Sequence, residues 1–483
     1  MAIKNEIVLI TYANSLGKNM GELYDFLTAH CGGVVGGVHL LPFYPSSADR
    51  GFAPVTYEEV DSTLGSWQDI QALASQFSLT VDFMINHISR RSRFYADFVR
   101  NKDASPYRDL FLLFRQFWPK GSPTQDQIDL IYKRKPRAPF VEQRFHDGST
   151  EQVWCTFDEE QIDLNCYSAA TRAFIARSLV SLAQRGAAMV RLDAFAYATK
   201  RPDTRCFFLE PDVWDLLDYC QSVLRPYGVE ILPEVHEHYS LQLKLAAHGY
   251  WVYDFALPML LLHALYTGSA SRLVHWLRIC PRKQFTTLDT HDGIGVADVK
   301  DLLSDDEVEH TKECLFTRGA NVKHMYSTPA YQNLDVYQLN CTYYSALGND
   351  DGAYLLARAV QFFAPGIPQV YYVGLLAGEN DVALLERTKV GRDINRHAYT
   401  LAEAENNLNR SVVTRLYNLM RFRNSYPAFD GACQAEEAVD GSLLIEWRGG
   451  VHHATLRANL RTRSYAISYF EPTIGGYVEL ADV

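Results

Sequence analysis

The sequence predicts an α/β chain built on a (β/α)8 barrel of the TIM type, with two inserted subdomains and a small C-terminal antiparallel β domain. Three observations carry this expectation. Eight short, mostly apolar runs alternate with helical stretches. Two of the intervening segments are too long for simple loops. The final segment, 427–483, changes to short alternating apolar runs punctuated by glycine.

The eight runs, in order, are Glu6–Tyr12, Val38–Phe43, Leu79–Ile85, Met189–Asp193, Glu230–Val235, Trp251–Ala256, Phe285–Leu288 and Ile367–Val373. Each is short and apolar enough to read as a buried strand. Met20–His30 has apolar residues at helical spacing. Trp67–Phe77 follows Gly65-Ser66, a candidate N-cap. Ser168–Gln184 and Glu210–Arg225 are longer amphipathic runs, Ala353–Phe363 stops at Pro365-Gly366, and Val412–Arg423 is a last helix. An open doubly wound sheet shares this periodicity, so the alternation alone leaves both arrangements open. The expected division is a barrel from 1–86, 168–292 and 350–426, a first insert at 87–167, a second at 293–349 and a C-terminal β domain at 427–483. Four terminal runs, Leu443–Trp447, His453–Leu456, Tyr465–Tyr469 and Gly476–Leu480, are read as its strands.

The composition bounds the function. With 483 residues, 47% hydrophobic and 13% aromatic, the chain can bury a large core. A formal charge of −11 argues against a nucleic-acid or acidic-membrane partner. Nine cysteines without C-x-x-C spacing fit reduced thiols better than a disulfide framework or a zinc site, which points to the cytoplasm. The opening M-A-I-K-N-E runs straight into a strand with no basic leader. No apolar run approaches the ~20 residues of a membrane span.

The polar residues sit at strand ends. Strand three ends D-F-M-I-N-H, giving Asp82, Asn86 and His87. Strand four ends R-L-D, giving Arg191 and Asp193, which as i and i+2 share a face. Strand five runs into L-P-E-V-H-E-H, giving Glu234, His236, Glu237 and His238. Strand seven runs into L-D-T-H-D-G, giving Asp289, His291 and Asp292. An isolated R-x-D is more often a buried structural ion pair than a functional one. Acids beside His or Arg at the same end of four buried strands point instead to one shared site, because barrel active sites lie at the C-terminal rim.

Two chemistries use a ring of carboxylates. Oxygen and nitrogen ligands suit magnesium, calcium or zinc. Retaining glycosyl transfer needs one carboxylate as nucleophile and one carboxylic acid about 5 Å away, with room for a third that stabilises an oxocarbenium-like transition state. Arg191 weighs for the second. Its charge keeps Asp193 ionised, and the same charge weakens a metal cage.

The segments D-F-M-I-N-H, V-R-L-D-A-F, L-P-E-V-H and L-D-T-H-D resemble the four short motifs of the α-amylase superfamily. V-Y-D-F-A-L-P, T-L-D-T-H-D-G-I-G-V, N-L-D-V-Y-Q-L-N-C-T-Y-Y-S-A-L-G, P-Q-V-Y-Y-V-G-L-L-A-G-E-N-D and G-R-D-I-N-R-H resemble the sucrose phosphorylase family within it. The likeness spans nearly the whole chain and is weakest over the final fifty or so residues. It implies Asp193 as nucleophile, Glu234 as general acid/base and Asp292 as transition-state stabiliser. Glu237 competes with Glu234, but a shift of three reverses the face of a strand. The resemblance further implies that His87 and His291 hold glucose hydroxyls and that Asp49 and Arg392 clasp the far hydroxyls of the ring. Phe52, Phe157 and Tyr197 would be aromatic walls, and Arg191 and His236 complete the substrate-binding set.

Residues 131–140, I-Y-K-R-K-P-R-A-P-F, form a local basic patch inside the first insert, which is either a solvated loop or an anion site. The resemblance places a phosphate-binding arginine at Arg134, whose planar fork suits paired phosphate oxygens. It places an acceptor loop at Leu334–Gln338, with Asp335, Tyr337 and Gln338 as the contacting residues. The implied reaction converts sucrose and phosphate reversibly to α-glucose 1-phosphate and fructose. Phosphate is a co-substrate, no metal or other cofactor is expected, and the partners are small molecules acting on a monomer or homodimer. Related phosphorylases of sucrose 6′-phosphate, glucosylglycerol or glucosylglycerate, an α-glucoside hydrolase and a non-catalytic barrel protein are the rival readings. Lys323 and His324 are the nearest cations to the acceptor loop.

Overall fold

The computed structural model of the chain describes residues 3–135, 137–321 and 338–483. All eight expected strands form. They are β1 (Val8–Thr11), β2 (Gly37–Leu40), β3 (Ser78–Met84), β4 (Met189–Asp193), β5 (Glu230–Pro233), β6 (Val252–Asp254), β7 (Gln284–Thr286) and β8 (Ile367–Tyr371). They are joined in one sheet in the order β6–β7–β8–β1–β2–β3–β4–β5, so consecutive strands other than β5 and β6 are neighbours in it. The observed pairs are parallel, which requires a crossover after each strand and rules out hairpins.

The chain divides into two compact units. The first holds Leu40–Val235. Here β3 is buried along all seven residues and β4 along all five, the near-continuous apolar pattern of a parallel strand covered on both faces. Each fully buried aliphatic chain, such as Leu79, Val190 or Leu192, stabilises by roughly 1.5–3 kcal/mol over exposure. Helix α2 (Trp67–Gln76) starts at the expected Ser66, which forms a capping box with Asp69. Helix α3 (Ala169–Gln184) starts at Ser168, whose hydroxyl accepts from the Thr171 amide at 3.0 Å. The insert between β3 and α3 carries two hairpin-like pairs. His87–Ser89 pairs with Gln161–Asp163, and Phe140–Arg144 pairs with Thr150–Trp154. Its own small core is Phe114, Trp118, Ile131 and Trp154 with Cys206.

The second unit takes in Ile3–His39 and, of the described residues, everything from His236 onward. Helix α1 (Met20–His30) is capped by Asn19, which accepts from the Glu22 amide at 3.1 Å. Helix α4 (Leu257–Thr267) is buried from Leu257 to Leu265, so no polar stripe marks its period in the sequence. Helix α5 (Asp351–Phe363) is buried without a break from Ala353 to Phe363. The terminal segment folds as a five-stranded antiparallel meander: β9 (Ala432–Glu437), β10 (Leu443–Gly449), β11 (His452–Asn459), β12 (Ser464–Glu471) and β13 (Gly476–Glu479). Four of these five were expected. β9 was not, because A-C-Q-A-E-E is an exposed edge strand with one buried residue and no apolar alternation. The sheet is anchored through Trp447, whose indole N–H donates to the Phe363 carbonyl at 2.8 Å. No helix among the described residues is long and apolar enough to cross a membrane.

Candidate active site

In the first unit the pleat of β4 sends Arg191 and Asp193 to one face, and register sets Asp82 of β3 directly opposite Arg191. The guanidinium NH1 donates to Asp82 Oδ1 at 2.5 Å and to Asp193 Oδ1 at 2.9 Å, and NH2 lies 3.7 Å from Glu234 Oε1. Arg191 and Asp82 are fully enclosed, at 3% and 0% exposure. One buried cation thus serves three carboxylates. Removing it would leave buried charges unpaired, which costs about 3–5 kcal/mol.

Strand β5 stops at Pro233, one residue before Glu234, so strand alternation does not choose between Glu234 and Glu237 as the sequence reading supposed. Their contacts distinguish them. Glu234 Oε2 accepts from the Ala194 amide at 2.8 Å, directly after Asp193, while Glu237 Oε1 accepts from the amide of its neighbour His238 at 3.2 Å. Ala194 holds a left-handed backbone (φ 51°), which costs a non-glycine residue about 1–2 kcal/mol and points its N–H at Glu234.

The expected sugar-facing residues of this unit form an aromatic and imidazole cluster. His87 Nε2 lies 2.9 Å from the Phe52 carbonyl and 3.1 Å from Gln161 Nε2. Burial pushes the His87 imidazole down, against the opposing pull of Asp163. Phe157 meets His87 with ring centres 5.6 Å apart and Tyr197 at 5.0 Å. Phe52 lies under Arg191, with 5.8 Å from guanidinium carbon to ring centre. Asp49 opens the short turn Asp49–Gly51 immediately before Phe52.

The basic patch is not a solvated run. Lys133 pairs with Asp129 at 3.2 Å and Lys135 with Asp158 at 3.2 Å. Arg137 donates to the carbonyls of Ala138, Phe140 and Phe157. Arg134 lies over the rings of Tyr132 and Tyr197 and donates from Nε to the Tyr197 hydroxyl.

One group that sequence reasoning missed is Lys200. Its ammonium, 3% exposed for the residue as a whole, contacts Asp163 Oδ2 at 2.9 Å, Asn86 Oδ1 at 2.8 Å and the Tyr197 carbonyl at 2.6 Å. It ties the end of β3, the loop after β4 and the insert strand Gln161–Asp163 to one point. Nothing local in A-Y-A-T-K signals this, because every partner is a tertiary neighbour or a backbone group.

In the second unit Asp292 has the opposite surroundings. Arg392 NH1 lies 2.9 Å from its Oδ1, His291 Nε2 3.7 Å from its Oδ2 and Arg396 NH2 4.0 Å from its Oδ1. Burial alone would push this carboxyl up. Arg392 above all, then His291, His236 and Arg396, hold it well below the usual carboxylate range. The backbone is pinned too. Asn395 donates to the Asp292 carbonyl at 2.8 Å and Arg396 Nε to the His291 carbonyl at 2.8 Å. Asn395 and Arg396 both stand in G-R-D-I-N-R-H, so the motif held a signal from which only Arg392 was taken. Asp289 turns to the fully buried Arg358 at 2.8 Å. His236 stacks on Phe255, with ring centres 3.7 Å apart, and its Nε2 lies 3.4 Å from Gln338 Nε2. Asp335 and Tyr337 lie outside the described residues.

Comparison with known proteins follows the same lines. The catalytic-domain family of α-amylases matches residues 32–226. A sucrose phosphorylase of Streptococcus mutans is 53% identical over 98% of this chain and 99% of its own. A glucosylglycerol phosphorylase of Marinobacter adhaerens is 42% identical over 98% of each. Among solved structures, the sucrose 6F-phosphate phosphorylase of Thermoanaerobacter thermosaccharolyticum superposes with a TM-score of 0.95 at 42% identity, covering 99% of this chain and 98% of that one. An eight-stranded parallel sheet with acids at its strand ends, matched over full length at these identities, makes the chain a member of the sucrose phosphorylase family of α-amylase-type enzymes.

Proposed function

We propose that the protein catalyses the reversible phosphorolysis of sucrose to α-D-glucose 1-phosphate and D-fructose by double displacement. The observation that carries this reading is the sharing of Arg191 between Asp193 and Glu234. Two carboxylates gathered on one guanidinium suit the short spacing of a retaining mechanism. Glu234, protonated, gives its proton to the leaving fructose oxygen. Asp193 attacks the anomeric carbon and holds the glucosyl group as a β-ester. Phosphate oxygen then attacks that carbon, Glu234 takes the proton back, and the ester releases α-glucose 1-phosphate. On the family resemblance Asp292, locked in its charged form, stabilises the oxocarbenium-like transition state. His87, His291, Asp49 and Arg392 hold the glucose hydroxyls, with Phe52, Phe157 and Tyr197 as walls.

Phosphate selection falls to Arg134. Its neighbours in the patch are engaged with Asp129, Asp158 and backbone carbonyls, which stiffens the loop that presents it. The acceptor side takes His236 and Gln338, with Asp335 and Tyr337. The reading requires no metal or organic cofactor. It places the enzyme in the cytoplasm as a monomer or homodimer acting on diffusible sugars, and the nine free thiols suit that compartment.

The test is a phosphate-dependence assay on sucrose. The proposal expects glucose 1-phosphate in place of free glucose, and turnover that collapses when phosphate is omitted. Release of glucose at the same rate without phosphate would make the protein a hydrolase. The same assay on sucrose 6′-phosphate and on glucosylglycerol separates the acceptors of the 42% identical relatives, and a higher kcat/KM on either would move the name but not the chemistry.

A further inference from the structure

Three residues after β5 and six after Asp292, His236 and Asp298 face each other. Asp298, on the short turn Ala297–Val299, places Oδ2 3.6 Å from His236 Nδ1. Both side chains are 4% exposed. The approach of Asp298 to this turn depends on Gly295, where a Cβ would lie 2.1 Å from the same Oδ2.

The Gly293 backbone N–H is a donor, and it meets Gln338 Oε1 at 3.4 Å. The Gln338 amide is thereby oriented, so its NH2 faces His236 Nε2 at 3.4 Å. An NH2 group can only donate, so with this orientation Nε2 accepts and a ring proton sits on Nδ1. That proton faces the Asp298 carboxylate. A carboxylate behind an imidazole fixes its tautomer and orientation, as it does for histidines that bind metals. Phe255, stacked on the ring face, removes the remaining freedom to tilt.

We propose that Asp298 is a positioning residue for the acceptor side of the reaction, holding His236 so that its Nε2 lone pair is presented to a hydroxyl of the incoming sugar. The inference rests on the phosphorylase reading above. Whatever replaces the Gln338 amide at Nε2 must also donate a proton. A sugar hydroxyl does so and an unprotonated phosphate oxygen does not. Asp298 touches neither the glucosyl group nor phosphate in this scheme, so the donor half of the reaction does not depend on it.

The experiment compares wild type, D298A and D298N in two assays. One is synthesis from glucose 1-phosphate and fructose. The other is arsenolysis of glucose 1-phosphate, which forms and resolves the glucosyl-enzyme without fructose. D298A is expected to raise KM for fructose about tenfold, the lower end for loss of a residue that orients a ligand from behind, with arsenolysis kcat/KM within about twofold of wild type. D298N keeps an oxygen that accepts from Nδ1–H and is expected to restore KM to within about threefold. In an H236Q background D298A should add nothing, since the two act through one ring. D298S, too short to reach the ring, is read in the same way if D298A does not fold. Equal losses in both assays, or an unchanged KM for fructose in D298A and D298S, overturn the inference and leave the function intact. A wild type that makes no glucose 1-phosphate from sucrose overturns the function, and this inference with it.

Discussion

The two acid clusters invert each other's charge ratio. Around Arg191, three carboxylates share one cation. Around Asp292, one carboxylate is served by two arginines and two histidines. The first arrangement leaves the negative charge incompletely matched. The second holds its carboxylate below the usual range. Retaining chemistry needs both kinds of carboxylate, and backbone placement around a single arginine or a single acid is enough to produce them.

Substitutions can break this contrast, the strongest first. On the proposed mechanism D193N removes the group that carries the glucosyl ester. It should lower kcat by about 10⁴-fold or more and abolish trapping of a glucosyl-enzyme by a slow fluoro-glucoside, read by intact mass. A substantial residual rate with retained stereochemistry would take Asp193 out of that role. E234Q should cost about 10³-fold on sucrose. It should lose far less on a glucosyl fluoride, whose leaving group needs no proton, so similar losses on both substrates would contradict the proton-donor role. R191M strips the shared cation from three acids and should lower unfolding stability by about 3–5 kcal/mol, read by urea denaturation. R392M should cost less, because Arg396 and the histidines still face Asp292.

The mildest test uses pH. Asp292 is held below the ordinary carboxylate range in the folded protein. Its ionised form therefore stabilises the fold at pH values above that range, and this contribution is lost as pH falls below about 4 toward the folded value. Thermal unfolding followed from pH 6 to pH 3 should fall more steeply for wild type than for R392M. Parallel curves would show that Arg392 does not set the charge of Asp292.

The sheet was legible in the sequence because parallel strands are buried on both faces and read as short apolar blocks. The Arg191–Asp193 contact was legible because i and i+2 share a face on any strand. Legibility failed wherever the deciding contact was tertiary. α4 is apolar all round and shows no period. β9 is a polar edge strand that exists because β10 offers it a partner. The choice of Glu234 over Glu237 rested on a strand that in fact stops at Pro233. Lys200 and Asp298 carried no local mark, since their partners come from segments distant in the chain or from the backbone.

The Lys200 ammonium has a practical corollary. It sits among a carboxylate, an amide oxygen and a carbonyl, a donor set that elsewhere would suit a dissolved ion. A positive charge tethered by its own side chain cannot be diluted away, stripped by a chelator or exchanged for a competitor. The seam it closes is supplied at synthesis, one per molecule, and owes nothing to the mineral content of the surroundings.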